Sequence, residues 1–452
     1  MVKIMELKKY KNNNKRRLYV MVIIGFLLIS IGSYLFYKSY ALYEESKSFD
    51  VISGTVEDPG DIYFAYYIDG EISREMPKQN TGYTLDEAKS NCNNNVTVTW
   101  DNASWEAKVN HKNYSATTNT RTKCTLYFNK TSKTVSTALG NIEVSTYTPD
   151  FTKSACDDES CESHEKGIYE TKDYDGNPTY YYRGSVENNY VKFAGFYWRI
   201  IRINSNGSIR MIYDGTTAHA NGESSTNRFY KKTAFNSTVF DPAIAGYMYT
   251  LNSQNGLTTS SNIKIENEQF YVSKLKDFES KLDINIVFCG DRSILSHDST
   301  DNDTTYYNSY YRFSRNDPDL LCDNTEDLYT SSNSSIGNKA LTYSIGLATM
   351  DEYMYAGFSN IAYIPNNANN QKYFKPNVNS YLSIGTISWT MTPAGYFNPA
   401  AWQKNYAMVF SVDTNLWIID TRYEYALRPV INIRSDVTIT GNGTMSDPYI
   451  IN

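Results

Sequence analysis

The chain has 452 residues, of which 41% are hydrophobic, and its formal net charge is -6 at pH 7. Since one domain usually holds about 100–200 residues, this length predicts two or three domains. The mild negative charge argues against nucleic-acid binding, which needs a clustered basic face. The dense basic cluster lies before residue 18, where it is typical of a topology signal and not of a nucleic-acid site.

The first segment of the chain predicts a membrane anchor. Residues 1–17 form a basic leader, and residues 18–37 contain no charged side chain. About 20 apolar residues are enough for a helix to cross the roughly 30 Å core of a bilayer, and a helix satisfies its own backbone polar groups in lipid. Because positive charge stays cytoplasmic, we expect a single-pass cell-membrane protein with a cytoplasmic N-terminus and an extracellular C-terminal ectodomain.

A cleaved signal peptide is the alternative interpretation of this segment. Signal peptides have a shorter apolar core and end in small residues, whereas bulky Tyr, Leu and Phe side chains occupy the outer end here. This favours an uncleaved anchor, followed by a juxtamembrane segment over residues 38–50.

Residues 51–130 predict a small β-sandwich that serves as a stalk domain. Within it, residues 96–100 and 124–128 alternate between polar and apolar side chains, as half-buried strands do. Trp100 and Trp105 are expected to fill the core between its layers.

Residues 131–167 are rich in Ser, Thr and acidic side chains and predict a linker. The larger domain, residues 168–452, is predicted to be a mixed α+β binding domain, so that the ectodomain as a whole is mainly β. Its clearest signal is a β-hairpin, in which residues 196–203 alternate, turn, and return as residues 208–213. Helical patterns are sparse, with candidates at 272–282 and 349–356, whereas strands are expected at 406–412, 416–420, 427–433 and 437–440.

All six cysteines follow the apolar segment. In an oxidising compartment an even number of cysteines indicates disulfides, although the sequence leaves other pairings open. Spacing favours three local pairs: Cys92 with Cys124, Cys156 with Cys161, and Cys289 with Cys322. Zinc is the alternative, but the sequence has no Cys-x-x-Cys and its histidines are scattered, so we expect no metal and no cofactor.

Four stretches of the chain carry a family resemblance. They are Phe196-Tyr-Trp-Arg-Ile-Ile-Arg-Ile with its return to Gly215, Phe288-Cys-Gly-Asp-Arg-Ser293, Ala340-Leu-Thr-Tyr with Thr349-Met-Asp-Glu352, and Trp389-Thr-Met-Thr-Pro393 through Leu427-Arg-Pro-Val-Ile-Asn-Ile433. In this order they resemble N-terminally anchored surface proteins of low-GC bacteria. The resemblance covers most of the chain and implies an anchored surface protein, but it names no chemistry.

The last stretch resembles a second group of proteins. Its Trp389-x-x-x-Pro393 opening, aromatic middle and terminal Arg428-Pro429-Val430 strand are similar to C-type-lectin-like folds of the formylglycine-generating-enzyme type. Variable proteins of diversity-generating retroelements use this fold to display a changeable binding face. The Glu-Pro-Asn, Gln-Pro-Asp and Trp-Asn-Asp motifs of calcium-dependent sugar lectins are absent, so the resemblance implies no calcium site and no sugar site.

Tyrosine is unusually abundant in this chain, with 41 residues. Tyr combines a rigid apolar ring with a polar tip and suits a binding surface, although codon bias in an AT-rich genome gives the same enrichment. The loop patterns at 394–406 and 423–425 predict an aromatic ligand-binding face, with the alternative that such aromatic residues belong to the core. The candidate ligand-binding residues are Tyr396, Phe397, Trp402, Tyr406, Tyr423 and Tyr425.

Catalytic motifs are missing from the sequence. It contains no Gly-x-Ser-x-Gly nucleophile motif and no Gly-rich phosphate loop, and the acidic runs 173–177 and 298–303 lack residues that a calcium loop requires. We therefore expect a binding and adhesion protein that contacts a protein or glycan ligand, and not an enzyme. Two alternatives stay open: a surface hydrolase that uses paired carboxylates, whose separation the sequence does not show, and a structural envelope protein.

Overall fold

The computed structural model describes residues 62–79, 82–101, 104–110, 122–151, 166–237, 241–294, 304–358, 380–397, 406–413 and 416–451. It is mainly β, as the sequence predicts. The chain divides into two compact units, Met1–Thr131 and Ser132–Asn452, of which the second holds the larger hydrophobic core.

The predicted leader, anchor and juxtamembrane segment, residues 1–50, lie outside the described residues. In the part of the chain that is described, no helix has the length and apolar character needed to cross a membrane.

The first unit is built around a mixed sheet. Its strands are β1 (Ile62–Ile68), β2 (Glu71–Ser73), β3 (Tyr83–Leu85), β4 (Asn91–Cys92), β5 (Thr97–Asp101), β6 (Glu106–Asn110) and β7 (Thr122–Lys130). Strand β7 pairs in parallel with β1 and antiparallel with β3 and β4, and β2 extends the sheet beyond β1. Strands β5 and β6 form a separate antiparallel hairpin.

The hairpin of β5 and β6 contributes the aromatic core that the sequence predicts. The Trp100 ring lies 5.3 Å from that of Phe128 on β7 and 5.0 Å from that of Trp105, edge-on in both cases. Trp100 and Phe128 are buried, and Trp105 Nε1 donates a hydrogen bond of 2.7 Å to the carbonyl oxygen of Pro77. Edge-to-face packing adds about 0.5–1.5 kcal/mol per pair beyond the area that such rings bury. The prediction is confirmed for Trp100, whereas Trp105 is half-buried and packs against this core.

The second unit combines many short strands with short helices. Its helices are α1 (Val135–Leu139), α2 (Asn262–Lys274), α3 (Asn308–Arg315) and α4 (Met350–Tyr355), with 3-10 helices at Thr226–Arg228, Pro242–Ala245, Lys276–Lys281 and Thr325–Asp327. Its strands are β8 (Lys133–Thr134), β9 (Gly167–Lys172), β10 (Pro178–Arg183), β11 (Tyr190–Phe193), β12 (Phe196–Ile203), β13 (Ile209–Gly215), β14 (Lys231–Ala234), β15 (Met248–Tyr249), β16 (Thr259–Ser260), β17 (Phe288–Cys289), β18 (Thr304–Tyr306), β19 (Leu328–Tyr329), β20 (Ser388–Phe397), β21 (Tyr406–Val412), β22 (Leu416–Asp420), β23 (Glu424–Leu427), β24 (Val430–Ile433), β25 (Thr438–Thr440) and β26 (Tyr449–Ile451).

Two larger sheets organise the second unit. The first has the order β24-β13-β12-β11-β26-β25-β8, with β10 paired to β12 and β9 paired to β10, and the second has the order β14-β23-β20-β21-β22, with β18 paired to β20. The predicted hairpin of residues 196–213 is confirmed as the antiparallel pair β12 and β13. Part of the predicted linker 131–167 belongs to this unit, because β8 pairs with β25 and α1 packs Val135 and Leu139 into the core.

Local sequence signals locate several elements of this unit. Strands β21 and β22 have the bounds predicted from the sequence. The predicted strand 427–433 is divided between β23 and β24 at Pro429, which has no N–H to donate to a sheet. Helix α4 confirms the prediction at 349–356, because Thr349 and Glu352 form a capping box at its start.

The predicted helix at residues 272–282 is only partly an α-helix. Helix α2 begins well before it, at Asn262, because the Ser261 side chain accepts a hydrogen bond from the backbone N of Lys264 and caps the first turn. A 3-10 helix follows from Lys276. The predicted segment therefore covers only the end of α2 and this turn.

Two of the three predicted disulfides are confirmed. Cys92 and Cys124 are directly paired residues on β4 and β7, with Cα atoms 4.0 Å apart. Cys289 on β17 is bonded to Cys322, with Cα atoms 5.9 Å apart. Residues 156 and 161, the predicted third pair, lie outside the described residues.

Buried arginine side chains hold loops of the second unit against its sheets. The carboxylate of Asp214 accepts hydrogen bonds from Arg228 Nε at 2.8 Å and from Arg428 Nη2 at 3.2 Å, and all three side chains are buried. The two guanidinium groups also donate to the carbonyl oxygens of residues 381–383. Charged hydrogen bonds of this kind offset the desolvation that burial of an ion costs.

We expect the substitution Asp214→Asn to lower the free energy of unfolding by about 3–5 kcal/mol, because it leaves two guanidinium groups buried without a counter-charge. The control is Asp436→Asn, which removes a carboxylate from an exposed ion pair with Arg434 and leaves the free energy of unfolding nearly unchanged. Urea unfolding of the full chain, followed by near-ultraviolet circular dichroism, measures both. Equal losses for the two variants contradict this account.

Candidate functional site

The second unit contains a cavity of about 230 Å³ with strongly charged walls. Ligand pockets are mostly apolar with a few polar groups, so this number of charged side chains is unusual. The described lining residues include six carboxylates and three guanidinium groups, but neither lysine nor histidine: Asp173, Asp175, Arg202, Arg210, Asp291, Arg312, Asp319, Asp351 and Glu352. An apolar part of the wall consists of Ile286, Val287, Leu320, Leu321 and Ile336.

Two arginines and one glutamate form the first ion-pair group of the cavity. Arg202 on β12 and Arg210 on β13 are cross-strand partners. Glu352 Oε1 lies 3.3 Å from Arg202 Nη1 and 2.6 Å from Arg210 Nε, and Glu352 Oε2 accepts a hydrogen bond from the backbone N of Thr349. Burial lowers the pKa of Arg210 to about 10, and Glu352 opposes this decrease. The capping box of α4 thus holds the carboxylate that separates two like charges.

Arg312 on α3 joins three further carboxylates. Its Nε and Nη2 donate to Asp351 at 2.9 and 3.1 Å, in the two-pronged geometry that suits a guanidinium and a carboxylate. Asp319 Oδ1 lies 3.7 Å from Arg312 Nε, and Asp291 Oδ2 lies 3.7 Å from Arg312 Nη1. Although burial favours the neutral form, these carboxylates raise the pKa of Arg312, so the guanidinium stays charged.

Asp319 holds its proton more strongly than an ordinary carboxyl group. Burial raises the pKa of Asp319 to about 6; Arg312 opposes the increase, and the charge of Asp351 adds to it. Its side chain is 41% exposed, so the group exchanges protons with solvent. A carboxyl group with a pKa near neutrality is suited to general acid–base chemistry.

The Cys289–Cys322 disulfide holds the part of the wall that carries Asp319. Cys289 on β17 lines the cavity, and so do Leu320 and Leu321, which immediately precede Cys322. The bond therefore connects this short segment to the strand on which Cys289 lies. Such a bond persists in an oxidising compartment.

The cavity is also where the four resemblance-carrying stretches come together. Each contributes at least one lining residue: Arg202 and Arg210 from the first, Asp291 from the second, Asp351 and Glu352 from the third, and Thr392 from the fourth. Sequence reasoning did not identify these residues as a site, because they are far apart along the chain. No short-range pattern in the sequence marks them as neighbours.

The predicted aromatic site residues lie in several places. Tyr423 is 57% exposed, and its ring stacks 6.0 Å from that of Tyr425. Tyr425 packs edge-on against the buried Trp389, with ring centres 5.2 Å apart. Tyr396 is half-buried, and its ring lies 6.4 Å from that of Tyr307.

The described members of this aromatic set do not form one continuous patch. Trp389 and Tyr396 lie near opposite ends of β20, roughly 20 Å apart at about 3.3 Å per strand residue. Phe397 and Tyr406 are backbone partners on β20 and β21, and Trp402 lies outside the described residues. The described aromatic residues therefore lie near opposite ends of β20.

The acidic run 173–177, at the edge of the cavity, folds as a turn. The Oδ1 of Asp173 accepts hydrogen bonds from the backbone N of Asp175 and of Asn177, an arrangement common in Asx turns. Among the described residues no group of three metal-binding side chains occurs. The second acidic run, 298–303, lies outside them.

Comparisons of this chain with protein-family models, with curated proteins and with solved structures give no match. The cavity and the exposed aromatic residues are the features of the structure that bear on its function.

The raised pKa of Asp319 predicts a pH-dependent stability. Between pH 3.8 and about 6 the folded chain binds the Asp319 proton more tightly than the unfolded chain does, so the free energy of unfolding falls as the pH rises through this range. We expect Asp319→Asn to remove this decrease, as measured by urea unfolding at several pH values.

The control for the Asp319 experiment is Asp277→Asn, which removes one exposed carboxylate from a 3-10 helix outside the cavity. A difference between wild type and Asp319→Asn that is the same at every pH contradicts the raised pKa.

Proposed function

We propose that this chain is a membrane-anchored extracellular binding and adhesion protein that engages a protein or glycan ligand through its C-terminal domain. The anchor is the uncharged segment 18–37, with the basic leader in the cytoplasm. Two disulfides in the described residues support an extracellular location, because such bonds persist in oxidising compartments.

One observation carries the binding role: a buried carboxylate oxygen at the wall of the cavity has no hydrogen-bond donor within the described residues. Asp291 is 1% exposed, and its Oδ2 lacks a hydrogen-bond donor there. Native proteins leave few buried polar atoms unsatisfied, because each costs stability. A ligand that enters the cavity supplies the missing donor.

The fold of each ectodomain part is included in the same proposal. We infer a β-sandwich stalk over residues 51–130 and a C-type-lectin-like fold for residues 168–452, as the resemblance implies. The exposed Tyr423, stacked on Tyr425, is a second contact surface for a large ligand, because rigid aromatic side chains bind at low entropic cost.

The role of the cavity in ligand binding is tested by a substitution that narrows its opening. Leu321 lines the cavity and is 47% exposed, so we expect Leu321→Trp to reduce ligand affinity at least about tenfold by steric exclusion. The matched control is Leu251→Trp, at a leucine that is 52% exposed and does not line the cavity. Glycan and protein arrays on the full chain identify ligands, and titration of each hit measures the affinities.

The same arrays show whether the ligand binds in the cavity or at the aromatic surface formed by Tyr423 and Tyr425. If Tyr423→Ala abolishes binding while Leu321→Trp leaves it intact, the aromatic surface and not the cavity is the ligand site. If no ligand binds and the purified ectodomain self-associates, the structural alternative replaces the binding function.

A surface hydrolase is the second candidate, and one observation favours it. Asp319 and Asp351 both approach the same Arg312 Nε, at 3.7 and 2.9 Å. The two carboxyl groups differ in environment, and hydrolysis by paired carboxyl groups requires such a difference, because one group acts as a protonated acid and the other stays charged. Asp319, with its pKa raised to about 6, is the candidate general acid.

For the hydrolase we expect array hits to be cleaved during incubation, and Asp319→Asn to slow the cleavage at least about a hundredfold. Chromatography of the products measures the turnover. Ligands that are recovered intact after long incubation with the wild-type chain exclude this second function.

A further inference from the structure

We propose that the cavity receives a primary alkylammonium group, and that the carboxylate of Asp291 accepts its hydrogen bonds. This inference rests on the proposed binding function and specifies the chemical class of the ligand. It follows from the charge of the lining, from the Asp291 oxygen that accepts no hydrogen bond, and from the apolar part of the wall.

The lining carries more negative than positive charge. Glu352 is paired with Arg202 and Arg210, and Asp351 is paired with Arg312. These pairs include every guanidinium group of the described lining residues, which contain no lysine and no histidine. Asp291 and Asp319 share Arg312 with Asp351, each at 3.7 Å, so six carboxylates face three guanidinium groups in the described lining. A cation that enters is attracted by this excess, whereas an anion is repelled.

Asp291 supplies the acceptor that the cavity leaves open. Its Oδ1 accepts hydrogen bonds from the backbone N and the hydroxyl of Ser293, whereas its Oδ2 accepts no hydrogen bond from the described residues. Arg312 Nη1 lies 3.7 Å from Oδ2, which is beyond hydrogen-bonding distance. A charged donor at this position forms a hydrogen bond to Oδ2. Folding has already removed this oxygen from water, so formation of the bond adds little further desolvation cost for the carboxylate.

An ammonium group fits this position better than a metal ion or a hydroxyl group. Among the described residues no set of three metal-binding side chains surrounds Asp291, and a hydroxyl group carries no charge to offset the carboxylates. A primary ammonium has three donors and a full positive charge on a compact head.

The apolar part of the wall selects an alkyl chain over a sugar ring. Sugar hydroxyl groups pressed against apolar side chains lose water without gaining partners, whereas methylene groups are favourably buried there. The apolar residues are Ile286, Val287, Leu320, Leu321 and Ile336. The volume of about 230 Å³ is below the roughly 300–1,000 Å³ of pockets for drug-sized ligands and suits one short chain.

The test uses pentylamine, pentanol and pentanoate, which share one carbon chain and differ in charge. Ligand-observed NMR titration of the full chain measures the three dissociation constants. We expect pentylamine to bind at least about tenfold more tightly than the other two, because only its head group pairs with Asp291. Asp291→Asn, which keeps the acceptor for Ser293, weakens pentylamine binding at least about tenfold, whereas the exposed control Asp277→Asn leaves it unchanged.

Leu321→Trp separates a failure of this inference from a failure of the proposed function. If pentanol or pentanoate binds as tightly as pentylamine and Leu321→Trp removes that binding, the cavity is a ligand site but the ammonium inference is wrong. If no probe binds, or if Leu321→Trp leaves binding unchanged, the cavity itself is refuted as the site. The comparison of the three probes uses the wild-type chain, so it decides the question even where Asp291→Asn does not fold.

Discussion

The burial of guanidinium groups is the constraint on which the second unit depends. Its largest fully buried side chains include Arg183, Arg199, Arg210, Arg228, Arg292 and Arg428. Arginine remains charged in proteins, so each buried group needs several acceptors. Many of these acceptors are carbonyl oxygens of loops: Arg228 and Arg428 bind residues 381–383, and Arg183 binds the carbonyl oxygens at the end of α4. The arginines therefore hold irregular segments of the chain against the sheets.

In the cavity the charges are distributed differently from those in the rest of the second unit. The cavity arginines are matched by carboxylates, Glu352 on one side and Asp351 on the other, but carboxylates outnumber them. Asp291 then keeps a buried oxygen without a hydrogen-bond donor from the described residues, and burial of such an oxygen costs stability. For this reason the binding proposal centres on the cavity, and the stacked pair Tyr423 and Tyr425 is a secondary surface.

Elements that depend on neighbouring residues were predictable, and the cavity was not. The strands β21 and β22 and the position of α4 were predicted from the sequence, because strand and helix patterns are local properties. The sequence pattern alone does not separate buried from exposed aromatic residues, and Trp389 is buried while Tyr423 is exposed. The cavity combines residues from four stretches that are distant in sequence. The spacing of apolar residues along the chain does not indicate which of these stretches come into contact.

By itself the sequence determined the β12–β13 hairpin and the position of α4, because both depend on short-range pattern. The spacing of four cysteines favoured the two disulfides found in the described residues. The charge pattern of the sequence also predicts the anchor at 18–37. Only the tertiary structure decided which charges are neutralised. Asp351 and Glu352 are adjacent in sequence yet pair with different arginines, while Asp291 Oδ2 has no donor among the described residues. Ion pairing requires side-chain atoms within about 4 Å of each other, and the packing of the whole unit sets those distances.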